Sequence, residues 1–413
     1  MLYERRIDPA ASHSVSAVDD DAAIRISQSE RAVMDVDLGA ISHNLAVVRQ
    51  LCPESRVLAI IKGDAYGVGA ESVAAALQRA GAEGFGVDNV GEGIALRASG
   101  IRRKIVVLDG CVPENAALAV RYDLTPGIAS ARLLRAYDDA AANAGRELPV
   151  WLHYNCGFNR SGHRSHEEFR ELVRALRDFK ALRATTVYSH LPASHMDAVC
   201  TEQQTAEYET ALAVARDELG LPLESSLLAS HGILARNPAE RSDWVRPGII
   251  LYGSACFERD TLTDVIAARV SQLRPALTLR ARLLHKLRFR SAQHCGLGQK
   301  YAVNAGQTLG TVAIGFGNGL PLPSLSRHAD FTFGTHRCPL VTVGMDYSQV
   351  DLTQHRKTPD LYEWMTLFGD PALGHQSLGE FAAGLEMSAW VLMRQLRVVK
   401  RYSDAGADRP VLG

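Results

Sequence analysis

Short apolar runs alternate with helix-like segments across residues 34–253. After a first strand at 34–38, apolar residues at Ile41, Leu45 and Val48 follow the spacing of one helical face, which predicts an amphipathic helix. The other runs that predict strands in this part are 57–61, 84–87, 104–108, 124–128, 150–153, 186–190 and 227–229. Each of these runs is followed by a helical stretch, so the pattern predicts a series of strand–helix units.

About eight such units favour a closed parallel barrel, a TIM-like (β/α)8 fold, over an open sheet. In a parallel barrel the functional groups lie at the carboxyl ends of the strands. This rule places Lys62, Asn155, His190, Ser230 and the turn at 246–248 around one mouth of the predicted barrel.

The pattern changes after about Phe257, where short apolar segments and turns replace the alternation. Segments 277–287, 310–314, 340–343 and 350–352 predict a separate and mainly β domain, with a last strand within 392–402. The expected organisation is therefore an N-terminal extension at 1–32, a barrel at 33–262 and a β-rich C-terminal domain at 263–413.

Composition narrows the classes of function. The chain has 413 residues, a formal net charge of −1 and no apolar run of membrane-spanning length, so neither nucleic acid nor a membrane is an expected partner. The first thirty residues lack the apolar core of a signal peptide. Seven cysteines without a regular pattern favour reduced thiols, and hence a cytoplasmic protein.

Lys62 is the most unusual charged residue, because it directly follows the apolar run 57–61 and opens a glycine-rich turn at 63–69. A lysine at the end of a buried strand can simply mark where the chain reaches solvent. However, desolvation lowers the pKa of a lysine, which suits a Schiff-base residue. Small residues after it let backbone amides approach an anion such as a phosphate.

Lys62 together with residues 63–69 (GDAYGVG) resembles the pyridoxal-phosphate lysine motif of the alanine racemase family. The likeness extends from Val33 onward, and its other motifs are MDVDL at 34–38 with Asn44, WLHYNCGFNRSG at 151–162, SLLASHGIL at 226–234, VRPGIILYG at 245–253, VAIGFGNG at 312–319 and VGMDYSQVDLT at 343–353. The resemblance implies pyridoxal 5'-phosphate as cofactor, an amino acid as substrate, and a barrel followed by a β domain. It also implies a head-to-tail homodimer, in which the β domain of one subunit completes the active site of the other.

The resemblance assigns cofactor contacts residue by residue. Lys62 would hold the cofactor as a Schiff base and later move the α-proton on one face of the substrate. Tyr66, Ser230 and the backbone amides around Gly248 and Ile249 would bind the phosphate, as hydroxyl groups and a glycine turn commonly do.

The resemblance also places Arg246 at the pyridine nitrogen, with His190 supporting the arginine. A guanidinium does not readily give up its proton, so the ring nitrogen would stay unprotonated and the cofactor would be a weak electron sink. A weak sink favours return of the proton over transamination. Arg160 would reach the phenolic oxygen of the cofactor or the substrate carboxylate, and Met345 would lie on the substrate side.

The chain departs from the family on the substrate side. The second catalytic base in the family is a tyrosine from the partner's β domain, and Leu297 stands at that position. Leucine cannot carry a proton, so another group would have to serve on the second face. Tyr301, Lys300 and His153 are the candidates, and a structural packing role is the alternative for Tyr301.

Further departures fall nearby. His153 replaces a lysine that some members carry as a carbamate, Asn155 replaces an aspartate, and Phe316 and Asn318 replace a tyrosine and an aspartate at the substrate entrance. Cofactor-side residues are therefore kept and substrate-side residues are changed. This distribution indicates an altered substrate or reaction.

Four functions remain open from the sequence. The first is an amino-acid racemase or epimerase with Tyr301 or another residue as second base. The second is a one-base pyridoxal-phosphate enzyme, such as a lyase, a decarboxylase or a specialised biosynthetic enzyme, and the third is a cofactor-binding protein without turnover. A metal-assisted D-amino-acid aldolase or dehydratase, using His336 and Cys338, is the weakest, and we expect no metal site.

Overall fold

The computed structural model describes residues 31–235, 242–255, 257, 262–322, 329–355 and 358–404, and it describes Leu297 without its side chain. The expected N-terminal extension therefore lies outside the described residues, apart from its last two. The N-terminal half of the described chain forms eight parallel strands surrounded by helices. These strands are β2 (Arg56–Ile60), β3 (Gly84–Asn89), β4 (Lys104–Gly110), β5 (Thr125–Ile128), β6 (Leu148–His153), β7 (Leu182–Tyr188), β8 (Glu224–Ser226) and β9 (Trp244–Val245).

Neighbouring strands pair in chain order from β2 to β8, and β9 pairs with β2. The backbone amide of Arg246 donates to the Leu228 carbonyl at 2.8 Å, and Ala229 forms a bridge with Arg246. These contacts join the ends of β8 and β9, so the eight strands form a nearly closed barrel. The predicted barrel is thereby confirmed.

The helices between the strands begin where the sequence offers a side chain to their free amides. Asp37 accepts a hydrogen bond from the amide of Ala40, and Ser165 accepts one from the amide of Glu168. The helices are α1 (Leu38–Leu51), α2 (Ala70–Arg79), α3 (Val90–Ala98), α4 (Ala116–Arg121), α5 (Ala131–Asn143), α6 (His166–Ala175), α7 (Ala198–Leu219), α8 (Ser230–Ala235), α9 (Asp264–Val270), α10 (Leu378–Gly384) and α11 (Ala389–Gln395). Of the helices in the described ranges, none is both long and apolar enough to cross a membrane.

The second part of the chain is a β domain, as predicted. Its strands are β10 (Leu277–Arg288), β11 (Gln293–Cys295), β12 (Tyr301–Val303), β13 (Thr308–Val312), β14 (Asp330–Phe333), β15 (His336–Val343), β16 (Ser348–Asp351), β17 (Trp364–Phe368) and β18 (Val399–Ser403). The long strand β10 pairs with both β13 and β17, so six antiparallel strands close into a ring. Strands β11 and β12 form a separate hairpin.

Two strand expectations were wrong in detail. The strand predicted at 34–38 is β1 (Ala32–Asp37), which pairs with β10 and β18 in the second sheet rather than with a barrel strand. The barrel instead takes β9 as its remaining strand, and because the partners of β1 are distant in sequence, an apolar run alone could not identify them. The strand predicted at 227–229 is β8 (Glu224–Ser226), which ends before the apolar run begins. The last strand expected within 392–402 is present as β18, after helix α11.

A buried asparagine ties the two parts together. The side-chain amide of Asn44 donates to the carbonyls of Leu251 and Arg274 at 3.0 and 2.8 Å, and its oxygen accepts from the amide of Arg274 at 2.8 Å. Because every polar atom of this side chain is paired, Asn44 fixes the segment after β9, which helps to form the mouth of the barrel, against α1.

Candidate active site

A cavity of about 310 Å³ opens at the carboxyl ends of the barrel strands. Its lining includes eight of the residues expected from the sequence: Lys62, Tyr66, Arg160, His190, Ser230, Arg246, Gly248 and Ile249. Tyr301 and Met345 belong to the β domain and are not part of this lining. A single chain therefore brings the residues expected to bind the cofactor into one cavity. Tyr301 and Met345, which were expected on the substrate side, lie elsewhere in that chain.

Lys62 lies at the start of a left-handed turn that follows β2. Residues 63–66 all have φ between 53° and 63°, although only Gly63 lacks a side chain. Such a conformation costs roughly 1–2 kcal/mol for each L-residue, so the surroundings must hold it. The Glu92 carboxylate accepts from the amide of Gly63 at 2.8 Å, and the Tyr252 hydroxyl donates to the Ala65 carbonyl at 3.0 Å. These two hydrogen bonds fix the backbone that directly follows Lys62.

One end of the cavity presents hydroxyl and amide donors. Ser230 opens α8, and its hydroxyl oxygen accepts from the amide of Gly248 at 2.9 Å, which leaves the hydroxyl hydrogen for a ligand. The Tyr66 hydroxyl packs so closely that a Cβ at Gly248 would lie 2.3 Å from its oxygen. Burial raises the pKa of Tyr66 far above its usual value, so the hydroxyl stays protonated and can donate. These groups suit an anion.

Arg246 is buried beneath the cavity and held by oxygen atoms. One terminal nitrogen of its guanidinium donates to the carbonyl and the hydroxyl of Ser226, both at 2.7 Å. The other donates to the carbonyls of Ser189 and Leu227. Among the described residues no hydrogen bond joins His190 to Arg246, so the support expected from this histidine comes from serine and backbone oxygens.

His190 lies among the cationic groups of the cavity. Burial lowers the pKa of His190 to about 3, and the charges of Arg246, Arg160 and Lys62 act in the same direction, while Asp109 opposes them. The imidazole is therefore neutral at pH 7. A neutral ring adds no charge to the cavity, and it can pack against an aromatic ligand.

Asp109 is a cavity residue that sequence reasoning missed. Its carboxylate lies 2.6 Å from the terminal nitrogen of Arg160, 3.3 Å from the Ser161 hydroxyl and 3.4 Å from Nδ1 of His153. Asp109 follows the apolar residues of β4 just as Lys62 follows those of β2. The same signal, a charged residue at the end of a barrel strand, could therefore have identified it.

The pKa values of the Asp109 and His153 pair shift in the same direction. Burial acts to raise the pKa of Asp109. The charges of His153, Arg160 and Lys62 outweigh this effect and hold the pKa of the carboxyl below its usual value. Burial lowers the pKa of His153 to about 4 against the pull of Asp109. The neutral imidazole stacks on Tyr188 with ring centroids 4.4 Å apart.

His153 and His190 predict a loss of stability in mild acid. They are neutral when folded, whereas the unfolded chain takes up their protons near pH 6.5. Stability is therefore fully present above about pH 6.5 and falls, by up to about 1.4 kcal/mol per pH unit for each histidine, toward about pH 4 for His153 and about pH 3 for His190. We expect the urea midpoint of a His190→Asn variant to fall less steeply with pH than that of the wild type. A His294→Asn variant, changed at an exposed site on β11, should keep the wild-type slope, and equal slopes for all three proteins would contradict the assignment.

The C-terminal helix α11 also contributes to the site. Trp390 of α11 lines the cavity beside His231, with ring centroids 6.5 Å apart. On the next turn, the Met393 carbonyl lies 2.9 Å from the position of a Cβ on Gly67, which makes a glycine necessary there. Helix α11 thus packs against the turn that carries Lys62. No local sequence signal connects residues so far apart in the chain.

The residues considered for a metal, His336 and Cys338, lie on β15 of the β domain. Sγ of Cys338 lies 3.5 Å from Nε2 of His355, and burial raises the pKa of Cys338 to about 12, which disfavours the thiolate. Within the described ranges no group of three or more His, Cys, Asp or Glu side chains could hold a metal ion. Near the cavity, His195 packs against His231 with ring centroids 5.1 Å apart.

The fold and the cavity together define a class of protein. The chain is a (β/α)8 barrel followed by a β domain, and the barrel mouth carries one lysine on a strained turn, a set of anion donors and a buried arginine. Three basic side chains in the lining (Lys62, Arg160 and Arg246) face the single carboxylate of Asp109. This charge balance suits a small anionic ligand.

Comparison with known proteins identifies the family. Residues 36–256 match the alanine racemase N-terminal domain, and residues 276–402 match the alanine racemase C-terminal domain. The chain belongs to the alanine racemase family and is an enzyme of the racemase class, as the sequence motifs predicted.

An alanine racemase of Xanthomonas axonopodis pv. citri is 34% identical over 373 residues, which cover 90% of this chain and 95% of that protein. The alanine racemase structure from D-cycloserine-producing Streptomyces lavendulae is 25% identical with a TM-score of 0.83, over 90% of this chain and 97% of that chain. A Bartonella henselae alanine racemase structure described with covalently bound pyridoxal phosphate has a TM-score of 0.79 at 23% identity, over 90% of this chain and 99% of that chain.

Proposed function

We propose that the chain is a pyridoxal-phosphate-dependent racemase or epimerase that acts on an amino acid. The observation that carries the proposal is the cavity, in which Lys62, the Ser230–Gly248 pair and the buried Arg246 converge. The cofactor bound to the Bartonella henselae relative supports the choice of cofactor. When bound, pyridoxal phosphate draws electrons away from the α-carbon of an amino acid, so that the α-proton can leave.

The residues of the cavity fit this cofactor. The hydroxyls of Ser230 and Tyr66 and the amide of Ile249 would be donors for its phosphate, while the amide of Gly248 holds the Ser230 hydroxyl in place. Lys62 supplies the amine for a Schiff base at the edge of the same cavity. The short approach of Tyr66 to Gly248 leaves no room for a larger residue in the phosphate turn.

The chain's own residues would share the work as follows. Lys62 holds the cofactor and carries the α-proton on one face of the substrate. Arg246, whose guanidinium is fixed by Ser226 and Ser189, presents a permanently protonated group to the pyridine nitrogen. Arg160 receives the substrate carboxylate or the phenolic oxygen, and His190 packs as a neutral ring.

Racemisation also needs a proton carrier on the second face of the substrate. We propose Tyr301 of a second copy of the chain for this role, because its phenol lies in the β11–β12 hairpin close in sequence to Leu297. In the same arrangement Leu297 and Met345 of that copy would contact the substrate. Met345 is 60% exposed in the single chain, so its side chain is available for such a contact.

The proposed assembly is a homodimer with shared active sites. Apolar side chains of the β domain are exposed in the single chain, among them Phe316 (38%), Met345 (60%) and Tyr347 (48%). Burial of such side chains against a second copy would be favourable. Sedimentation velocity should show a dimer at micromolar concentration, and a monomer there would contradict the shared site.

We place the enzyme in the cytoplasm. The six described cysteines (Cys52, Cys111, Cys156, Cys200, Cys295 and Cys338) carry free thiols, which agrees with a reducing compartment.

Gly248 provides a test of the phosphate turn. In a Gly248→Ala variant the new Cβ would lie 2.3 Å from the Tyr66 oxygen, so the phenol must move away. Such overpacking typically costs about 1–3 kcal/mol, and we expect pyridoxal phosphate to bind about 10- to 100-fold more weakly. A Gly232→Ala variant, whose Cβ would lie 3.3 Å from a flexible Leu228 side chain, should keep wild-type affinity. Equal affinity of both variants, measured by fluorescence titration, would contradict this phosphate site.

The proposed reaction is tested by incubation with L-alanine and L-serine in deuterated water. A racemase produces the D-enantiomer with deuterium at the α-carbon, which chiral chromatography and mass spectrometry detect. Deuterium in the L-amino acid alone would indicate proton exchange on a single face. Release of carbon dioxide or ammonia without a D-product would favour a one-base decarboxylase or lyase.

A further inference from the structure

We propose that Asp109 is a positioning residue that holds Arg160 in the orientation in which it receives an anionic group of the ligand. The inference rests on the proposed function of Arg160 and adds a residue that lies outside the sequence motifs quoted above. Asp109 would act through its neighbours, not by contact with the reacting atoms.

The two partners differ in how firmly the fold holds them. Asp109 belongs to β4, and only 19% of its side chain is exposed. Arg160 lies in the loop after β6, 45% of its side chain is exposed, and its guanidinium packs over the Phe158 ring at 4.3 Å. A long side chain on a loop has many rotamers, and their entropy opposes a single orientation. The 2.6 Å contact with a carboxylate on a strand supplies the restraint.

The other oxygen of Asp109 organises the adjacent wall of the cavity. The Ser161 hydroxyl donates to Oδ1 of Asp109 at 3.3 Å, and the same hydroxyl lies 3.2 Å from Nδ1 of His153. If the serine gives its hydrogen to the carboxylate, its oxygen accepts from Nδ1–H, and Nε2 of His153 is left as an acceptor. Each oxygen of Asp109 therefore has its own partner, Arg160 for Oδ2 and Ser161 for Oδ1.

Three variants separate the effect of the Asp109 charge, the effect of the Asp109 shape and the effect of its partner Arg160. Asp109→Asn keeps the shape and removes the charge, Asp109→Glu keeps the charge, and Arg160→Gln removes the proposed target. The control is Asp123→Asn, because Asp123 also pairs with an arginine, Arg146 at 3.1 Å, on the surface away from the cavity. Circular dichroism on each protein confirms that the fold is kept.

Propionate, a small carboxylate without an amino group, is the probe, and calorimetry on the purified full chain gives its Kd. Charge-assisted hydrogen bonds contribute about 1.5–3 kcal/mol, so Asp109→Asn should weaken propionate binding about 10- to 100-fold. Asp109→Glu should recover part of the affinity and Asp123→Asn should match the wild type. In the Arg160→Gln background, Asp109→Asn should have little further effect, because the two residues act as one unit. The visible absorbance spectrum of added pyridoxal phosphate provides a second readout of the Arg160 environment.

Wild-type propionate affinity and an unchanged cofactor spectrum in Asp109→Asn would overturn the proposal. A full effect of Asp109→Asn in the Arg160→Gln background, or no propionate binding by the wild type, would do the same. Failure of the proposed function has a different signature, because a wild-type protein that binds propionate but no pyridoxal phosphate would leave Asp109 in its role and remove the cofactor.

Discussion

A Lys62→Arg variant is expected to lose racemisation by at least about 10²–10⁴-fold, the range that a general acid–base residue contributes. Because the variant also loses the covalent attachment of the cofactor, the total loss of activity should exceed this range. Lys62 is the lysine of the cavity lining, and its turn is fixed by Glu92 and Tyr252. Arginine keeps the positive charge, so the variant tests the amine itself and not the cavity's electrostatic potential. Chiral chromatography of the products gives the rate.

The matched control is Lys180→Arg, at an exposed residue before β7. This variant should racemise at the wild-type rate. Activity of Lys62→Arg within a few-fold of the wild type would show that another amine carries the reaction.

An Arg246→Gln variant is expected to lose stability and to change the absorbance spectrum of the bound cofactor. The guanidinium of Arg246 satisfies the carbonyls of Ser189 and Ser226 and the Ser226 hydroxyl, all of them in the buried wall below the cavity. Glutamine is too short to reach these acceptors, and each acceptor left without a partner costs about 1–3 kcal/mol. Loss of the cation opposite the proposed pyridine site should also change the cofactor's absorbance spectrum. Differential scanning calorimetry and absorbance measure the two effects separately.

Arg216→Gln is the control for the loss of an arginine that binds a carbonyl. Arg216 donates to the Leu223 carbonyl at 2.9 and 2.7 Å at the end of α7, away from the cavity. We expect a modest loss of stability and an unchanged cofactor spectrum. If both variants lowered stability equally and neither changed the spectrum, Arg246 would be a structural residue only.

The sequence predicted the barrel because its signals are local. The strand ahead of Lys62 and those at 84–87 and 104–108 are apolar runs, and each is matched by a barrel strand with bounds close to the prediction. Strand β1 has the same local pattern, yet it pairs with β10 and β18. Strand pairing is decided by partners that lie far away in the chain, which an apolar pattern does not reveal.

The candidate site likewise combines residues that local motifs identify with contacts from distant segments of the chain. Lys62 and Arg246 could be found because each lies within a motif, but the restraint on each comes from other segments. Asp109 on β4 contacts Arg160, which lies in the loop after β6. Trp390 of the C-terminal helix α11 lines the cavity. The left-handed conformation of residues 64–66 is also unpredictable from residue type, because only the contacts around the turn compensate for its cost.

The central claim is that Lys62 carries pyridoxal phosphate in the barrel cavity. The most direct measurement is reduction of the cofactor-loaded protein with borohydride, followed by peptide mapping by mass spectrometry. We predict the reduced cofactor on the peptide that contains Lys62, and its absence from that peptide in Lys62→Arg. Label on a different lysine of the wild type, or an unlabelled Lys62 after loading, would contradict the account.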